Sequence, residues 1–281
     1  MSDAGKAIAA SSQMESSSHP PSADTLIRRA HAMIPALRER EVGAIAARRA
    51  PAVTVAEMQE AGFFKILQPK RYGGFEMSPA IYCEIARTLA LGCMGSAWVY
   101  GVIAVHNWQL ALFDPQAAED VWGKDGNVLI SSSYMPTGKV TKVEGGYRLS
   151  GRWAFSSGSA HCQWVILGAN MVAEDGDGQP EPYNFLVPRN DYAIVDTWHT
   201  MGLCPTGSND IVVEDAFVPT HRVLRERDMF TIACPGHAVN SGALYRIPFA
   251  QLFNRTVSTT SLGSLRRALD VFVEGTRHKR T

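Results

Sequence analysis

The spacing of apolar residues changes twice along the chain, and this limits the possible folds more than any single motif does. From Asp24 apolar residues recur every three or four positions, as in amphipathic helices, and Thr54 with Glu57 predicts a capping box in one of them. From Asn127 short β-branched and aromatic runs alternate with glycines, a pattern typical of strands and turns. Helical spacing returns from Phe249. This order predicts an α+β chain of several domains.

The same changes in pattern give the predicted domain boundaries. Residues 1–23 are rich in Ser, Ala and Pro, which predicts a disordered tail. We expect an N-terminal helical domain over residues 24–125 and a central β-domain over residues 126–222. Residues 223–281 should form a loop and a partial C-terminal helical domain. The last helix has no further helices behind it, which indicates a truncated bundle.

Composition argues against several classes of partner. Lys plus Arg and Asp plus Glu both number 27, so bulk charge favours neither nucleic acid nor an anionic membrane surface. We find no run of about 18 apolar residues of the kind that spans a membrane. The five cysteines lie far apart without the spacing of a metal site, and no signal-peptide core is present. We therefore expect reduced thiols, no bound metal and a cytoplasmic location.

The segment Gly151–Leu167 combines strand-forming residues with exposed polar groups. Two runs, Trp153–Phe155 and Trp164–Leu167, flank the sequence Ser156–Gly158. This pattern predicts a strand, a polar corner and a second strand. Such a corner exposes hydroxyls and backbone N–H groups at a sheet rim, where a flat cofactor with a polar edge could bind. An ordinary β-connection is the alternative interpretation.

Two other groups of polar residues lie in apolar surroundings. His106 belongs to the apolar helical segment VIAVHNWQLALF, and Trp98 lies eight residues earlier, close enough to two turns to share its face. Ser131–Ser133 end the first strand in hydroxyl groups. Each also has a plain explanation, a satisfied core histidine and a solvated strand edge. We find no GxGxxG, P-loop, GxSxG or HExxH pattern that would support a different site.

Four segments in this order resemble one family throughout: VHNWQLALF, ISSSYMPTGKV, FSSGSAHCQWVILG and WHTMGLCPTGSNDIVVEDAFVP. They are similar to the two-component flavin monooxygenases of the acyl-CoA dehydrogenase fold, such as the oxygenase components acting on 4-hydroxyphenylacetate and on 3-hydroxy-9,10-secoandrostatrienedione. The acyl-CoA dehydrogenases carry G-x-K-x-W-I-T-N at the flavin. Gly151, Phe155 and Ser157 match the glycine, aromatic residue and threonine of that pattern. Trp153 and Gly158 replace its lysine and asparagine, which favours the monooxygenase branch.

The resemblance spans roughly Asp24 to Phe272 and implies a fold and an activity. The implied fold has an N-terminal helical domain, a central β-barrel domain and the start of a C-terminal helical bundle. The implied activity is that of an oxygenase component, which uses reduced flavin and O₂ through a C4a-hydroperoxide to hydroxylate a phenolic or aromatic substrate. The implied cofactor is reduced FMN (FMNH2), with FAD as the alternative. A separate NAD(P)H-dependent flavin reductase and, at full length, a homotetramer are the implied partners.

The resemblance also implies roles for particular residues. Ser157 would meet flavin N5, and His106, titrating near neutrality, would act as the base toward a phenol. The residues implied to line or flank the flavin ring are Trp98, Ser131, Ser132, Ser133, Phe155 and Ser156. Neither Arg246 nor Arg255 is singled out as the cation for the flavin phosphate.

Three alternatives remain open at this point. An acyl-CoA dehydrogenase would keep the fold and use a glutamate to abstract an α-proton, although Trp153 and Ser156–Gly158 argue against it. A truncated, inactive chain could act only in assembly. A relative could also hydroxylate a sulfur heterocycle or an amine nitrogen, but His106 favours an acidic O–H substrate because sulfur oxidation needs no base.

Overall fold

The computed structural model describes residues 20–173 and 178–277. Within these ranges the helices are α1 (Ala23–Ala47), α2 (Ala52–Glu60), α3 (Pro79–Ala90), α4 (Met94–Leu110), α5 (Pro115–Trp122), α6 (Glu226–Thr231) and α7 (Phe249–Arg277). The strands are β1 (Ile130–Val143), β2 (Gly146–Ser156), β3 (Trp164–Val172), β4 (Pro180–Pro188), β5 (Ala193–Val195), β6 (Asn209–Pro219) and β7 (Val223–Arg225). Most of the predicted tail, residues 1–19, and the end of the predicted C-terminal region, residues 278–281, lie outside the described residues.

Helices α1 to α5 pack into one apolar core around α4. Almost every residue of α4 is buried, so this helix is apolar on all its faces rather than along one stripe. Helices α3 and α5 begin with Ser78 and Asp114 as caps, each followed directly by proline. The cap oxygens accept hydrogen bonds from the N–H groups of Ala80 and Gln116.

The predicted capping box of Thr54 and Glu57 is wrong. Helix α2 already begins at Ala52, so Thr54 lies inside the helix. Both side chains instead bind Arg40 of α1, which donates to Thr54 Oγ1 at 3.1 Å and to Glu57 Oε2 at 2.6 Å. A charge-assisted contact between two helices has replaced the local cap.

The strands form one sheet with the order β5-β6-β2-β1-β3-β4-β7. Strand β1 joins its two halves, because it pairs antiparallel with β2 through its last residues and parallel with β3 through its first residues. Register shifts between Ser133 and Gly138 allow this change of partner. Buried residues of β2, β3, β4 and β6 share one core, so the two halves face each other.

Trp153 fills the centre of this second core. The side chain is fully buried, and its Nε1 donates to the carbonyl of Gly168 at 2.7 Å. A Cβ atom on Gly138 would lie 2.6 Å from the indole, and one on Gly151 would lie 2.9 Å from it. The large indole therefore requires glycine at both neighbouring positions.

Helix α7 packs along α3 and α4 through its first half. The Tyr82 hydroxyl donates to the Gly101 carbonyl at 2.8 Å, so the 2.6 Å contact between Tyr82 and Thr256 must be donated by Thr256. Further along α7, Arg267 forms a two-pronged ion pair with Glu41 of α1. Among residues 20–173 and 178–277, no helix is long and apolar enough to cross a membrane, and no cluster of three or more metal-ligating side chains occurs.

Candidate functional site

A cleft of about 420 Å³ lies where α4 and α7 meet the rim of the sheet. Its lining residues are Trp98, Val102, His106, Ser132, Ser133, Tyr134, Met135, Ala154, Phe155, Ser157, Trp198, Leu203, Thr206, Ser208, Phe253 and Val257. None of these side chains, among the described residues, is an acid, a lysine or an arginine. The cleft is therefore apolar, with hydroxyl groups and one imidazole as its polar contacts.

The helices supply their lining residues through simple periodicity. Trp98, Val102 and His106 follow one another at intervals of four on α4, and Phe253 and Val257 do so on α7. Residues four apart lie on the same helix face, so each helix presents one column of side chains to the cleft.

His106 lies at the base of the cleft and is only 1% exposed. Its Nδ1 is 2.8 Å from the Ile130 carbonyl at the start of β1, and a carbonyl can only accept, so Nδ1 carries the proton. Nε2 consequently has a free lone pair, and this buried atom has no hydrogen-bond partner. The rings of Tyr134 and Phe253 lie 6.2 Å and 6.4 Å from the imidazole. An unpartnered buried acceptor is costly and is typical of a site that receives a ligand donor.

The expectation that His106 titrates near neutrality is wrong. Burial lowers the pKa of His106 from 6.5 to about 4, although the hydrogen bond to Ile130 opposes this shift. The imidazole is therefore neutral at physiological pH. It can accept a hydrogen bond from a ligand but holds an added proton weakly.

The polar corner between β2 and β3 lies against α4. Gly158 has a φ of +71°, and a Cβ atom there would lie 3.0 Å from Ile103 and 3.1 Å from Val99. The absent side chain lets the corner approach the helix closely enough for Trp98 Nε1 to donate to Ser157 Oγ at 3.3 Å. The Gly158 N–H also donates to the Thr206 carbonyl at 2.8 Å. Helix α4 and the segment before β6 therefore both hold Ser157 in place.

Phe155 and Trp198 form the outer edge of the cleft. Phe155 has a φ of +66°, unusual for a bulky residue, and its side chain is 63% exposed. Its ring meets Trp198 edge to face at a centroid distance of 6.1 Å. Arg48 at the end of α1 donates to the Trp198 carbonyl and pairs with Asp196, which anchors this edge to the helical core.

Tyr134 forms an aromatic wall beside His106. Its hydroxyl donates to Gln109 on α4, and burial raises its pKa well above the usual range. Its ring packs edge-on against Phe249 and Phe253, at 5.5 Å and 5.2 Å. A planar ligand that reaches His106 must therefore pass between aromatic faces.

The structure brings six of the eight sequence-predicted site residues into this one cleft: Trp98, His106, Ser132, Ser133, Phe155 and Ser157. Ser131 and Ser156 are fully buried and lie outside the lining. Arg246 and Arg255 are exposed and also lie outside the lining.

Comparison with known proteins finds relatives over most of this chain. Residues 25–117 match the family described as acyl-CoA dehydrogenase, N-terminal domain. The flavin-dependent monooxygenase oxygenase subunit HsaA of Rhodococcus jostii (strain RHA1) is 43% identical over 249 residues, which cover 88% of this chain and 64% of that protein. The p-hydroxyphenylacetate 3-hydroxylase oxygenase component of Acinetobacter baumannii is 32% identical, and the match covers 91% of this chain and 60% of that protein. The chain thus spans less than two thirds of the length of these curated relatives.

A solved structure gives the same result at the level of the fold. The crystal structure of 3-HSA hydroxylase from Rhodococcus sp. RHA1 superposes with a TM-score of 0.87 at 41% identity, covering 92% of this chain and 68% of that one. This chain belongs to the flavin-dependent monooxygenases of the acyl-CoA dehydrogenase fold. The resemblance seen in the four sequence segments and the predicted fold class are thereby confirmed.

The cleft fits the ring system of a flavin, the group that this family uses. Trp98, Phe155 and Trp198 offer flat apolar surface, and the hydroxyl of Ser157 and the unpartnered Nε2 of His106 offer polar contacts. A volume of about 420 Å³ lies within the usual range for such sites. None of the described lining residues is a cation. The cleft can therefore hold the flavin ring but supplies no charged partner for the flavin phosphate.

Sequence reasoning missed ten of the lining residues, and four of these lie on the segment before β6. Trp198, Leu203, Thr206 and Ser208 belong to WHTMGLCPTGSND, which carried the family resemblance but no periodicity that places a side chain. Phe253 and Val257 could have been predicted from the sequence, because their spacing of four residues places both on one face of a predicted helix.

Gly158→Ala should destabilise the protein more than its matched control, Gly145→Ala. Both glycines have a φ above +70°, so both substitutions cost about 1 kcal/mol in backbone strain. Only at Gly158 does the new Cβ press on α4, which adds about 1–3 kcal/mol. Urea unfolding measures both variants. Equal losses would show that the corner does not depend on close contact with α4.

His106 should make the free energy of unfolding depend on pH. Because its folded pKa is about 4, the unfolded chain alone binds this proton between pH 6.5 and pH 4, so the free energy of unfolding falls as the pH falls through that window. This decrease in the free energy of unfolding should approach about 3 kcal/mol relative to His106→Asn, whose amide can still donate to Ile130. Denaturant curves at pH 7, 5.5 and 4.5 test this. Parallel pH profiles for the two proteins would contradict it.

Proposed function

We propose that this chain is the oxygenase component of a two-component flavin monooxygenase that hydroxylates a phenolic or aromatic substrate with O₂. The observation that carries the proposal is the pairing, in one uncharged aromatic cleft, of the Ser157 hydroxyl with the unprotonated Nε2 of His106. The relatives named above, a flavin-dependent monooxygenase and a p-hydroxyphenylacetate 3-hydroxylase, support the same reaction class. Reduced FMN is the proposed cofactor, with FAD as the alternative.

The flavin, once bound in reduced form, supplies the electrons that activate O₂. This chain's own residues then bind the ring, orient it and exclude water. Trp98, Phe155 and Trp198 contribute flat apolar surface, and the edge-to-face contact of the last two closes one side of the cleft. A dry, uncharged cleft favours oxygen transfer to the substrate because water and free protons divert the oxygen to hydrogen peroxide.

His106 acts in this proposal as a hydrogen-bond acceptor for the substrate hydroxyl. Moving a proton from a phenol with a pKa near 10 to an imidazole with a pKa of about 4 would cost on the order of 8 kcal/mol. Accepting the hydrogen bond avoids that cost and still raises electron density on the phenol ring. Because Nε2 is buried, the substrate reaches it only if a neighbouring side chain moves.

The proposed partners are a separate NAD(P)H-dependent flavin reductase, O₂ and an aromatic small molecule. A reductase is proposed because the relatives named above are an oxygenase subunit and an oxygenase component, names that imply a separate reductase. The free state of all five cysteines supports a cytoplasmic location, where reduced pyridine nucleotides are available.

The test supplies reduced FMN from a general flavin reductase with NADH and offers a panel of phenols. We expect the unchanged chain to convert at least one phenol to a catechol. His106→Asn should consume oxygen at a similar rate but lose roughly a hundredfold in product, releasing hydrogen peroxide instead. Product and peroxide are measured by chromatography and a peroxidase assay.

His237→Asn is the matched control for that test. His237 also places a ring nitrogen 2.8 Å from a backbone carbonyl, that of Tyr245, but it does not line the cleft. Its ratio of catechol to peroxide should match that of the unchanged chain. No catechol from any phenol would refute the proposed activity, and an unchanged ratio in His106→Asn would refute the role of His106 alone.

We further propose that the outer face of α7 is buried in the homotetramer that the resemblance implies at full length. Leu262, Leu265, Leu269 and Phe272 are each more than half exposed on this helix, an apolar surface that water disfavours. Light scattering on the full-length protein should give about four times the mass of one chain, and Leu265→Asp should reduce it. A single-chain mass for both proteins would contradict the proposal.

A further inference from the structure

A chain of four hydrogen bonds leads from the cleft into the segment before β6. Trp98 Nε1 lies 3.3 Å from Ser157 Oγ, which lies 2.7 Å from Ser208 Oγ. Ser208 Oγ lies 2.6 Å from Thr206 Oγ1, and Thr206 Oγ1 lies 2.9 Å from the carbonyl of Leu203. No sequence signal placed Thr206 or Ser208 in a site.

The donor and acceptor of each of these four hydrogen bonds follow from the groups at the two ends of the series. The Leu203 carbonyl can only accept, so the Thr206 hydroxyl donates to it and has no second proton to give. Ser208 must therefore donate to Thr206, and Ser157 must in turn donate to Ser208. At the other end the indole N–H of Trp98 can only donate, which agrees with Ser157 accepting.

Burial holds this direction in place. Thr206 is 1% exposed and Ser208 is 5% exposed, so bulk water does not offer either hydroxyl another partner. The Leu203 carbonyl also accepts from the Thr206 N–H at 3.0 Å and from Trp198 Nε1 at 3.0 Å, which fixes its orientation. The Thr206 carbonyl is held by Gly158 N–H at 2.8 Å. Reversing one hydroxyl would leave a buried donor or acceptor unpaired, which costs about 1–3 kcal/mol.

The consequence at the cleft is that Ser157 offers a lone pair and no proton. Its single proton is committed to Ser208, and one of its two lone pairs receives Trp98. A ligand atom beside Ser157 must therefore be a donor to form a hydrogen bond there. Reduced flavin carries a hydrogen on N5, whereas oxidised flavin has a bare lone pair at the same atom.

We propose that Thr206 and Ser208 are positioning residues that fix Ser157 as an acceptor, so that the cleft favours reduced over oxidised flavin. This inference rests on the proposed function, with the N5 edge of the flavin beside Ser157 as the family resemblance implies. The two hydroxyls act through Ser157 and do not need to touch the flavin. Their effect is a difference in affinity between two redox states, which a purely structural role would not produce.

Thr206→Val is the decisive variant, because valine keeps the shape of threonine but removes the hydroxyl. Ser208 then loses its acceptor and can turn its proton toward Ser157, which frees the Ser157 proton for the cleft. The ratio of affinities for reduced and oxidised FMN should fall about tenfold, the effect of exchanging one favourable hydrogen bond for one unfavourable contact. Thr206→Ser restores the hydroxyl and should restore the ratio.

Anaerobic fluorescence titration measures the dissociation constants of both FMN forms for each protein. The midpoint potential of bound FMN is an independent readout, since a tenfold loss in the ratio lowers it by about 30 mV for a two-electron couple. Thr137→Val is the matched control, because its hydroxyl also donates to a backbone carbonyl, that of Arg152, but lies outside the cleft. Its ratio should equal that of the unchanged chain.

Ser208→Ala provides a second test if Thr206→Val fails to fold, since it removes the acceptor of the Ser157 proton directly and should lower the ratio in the same way. If the unchanged chain prefers reduced FMN but neither variant changes the ratio, this inference is wrong and the proposed function stands. The inference is also wrong if Thr206→Ser behaves like Thr206→Val. If the unchanged chain binds neither form of FMN, both the proposed function and this inference are overturned.

Discussion

The burial of α4 is the constraint on which the rest of the structure depends. A helix enclosed on all sides needs a partner from another element for each polar side chain. Asn107 donates to the Phe64 carbonyl and Trp108 to the Leu244 carbonyl, while Gln109 accepts from Tyr134. These contacts draw the N-terminal turns, the segment before α7 and the first strand onto one helix. The polar positions of α4 thereby determine where the surrounding chain lies.

The same constraint separates functional polar atoms from structural ones. Among the described residues of α4, the Tyr100 hydroxyl, Asn107 Oδ1 and His106 Nε2 are buried without a partner. Only His106 belongs to the cleft lining. An unpartnered acceptor that faces a cavity can be satisfied by a ligand, whereas one in a sealed core cannot. The neutral state of this imidazole follows from the burial that makes α4 the centre of the fold.

Sequence reasoning succeeded where one element determines the outcome. The eight-residue interval from Trp98 to His106 placed both on one helix face, and the strand-corner-strand pattern located Ser157. It failed where the contacts of a side chain depend on a residue far away in the sequence. Thr54 was expected to cap its own helix, but its hydroxyl accepts a hydrogen bond from an arginine of another helix. Ser157 forms a hydrogen bond with Ser208, which lies 51 positions away in the sequence. Local spacing carries no information about such contacts.

The packing around Trp153 has an evolutionary consequence. The indole occupies space that backbone atoms of Gly138 and Gly151 leave open, and its nitrogen needs the Gly168 carbonyl. A mutation that enlarges either of the first two glycines is excluded while the tryptophan remains, and loss of the tryptophan leaves a void that those glycines cannot fill. Replacing the tryptophan alone, or enlarging either glycine alone, therefore leaves a poorly packed core. The three positions are therefore constrained as a unit, and a change at one of them requires a compensating change at another.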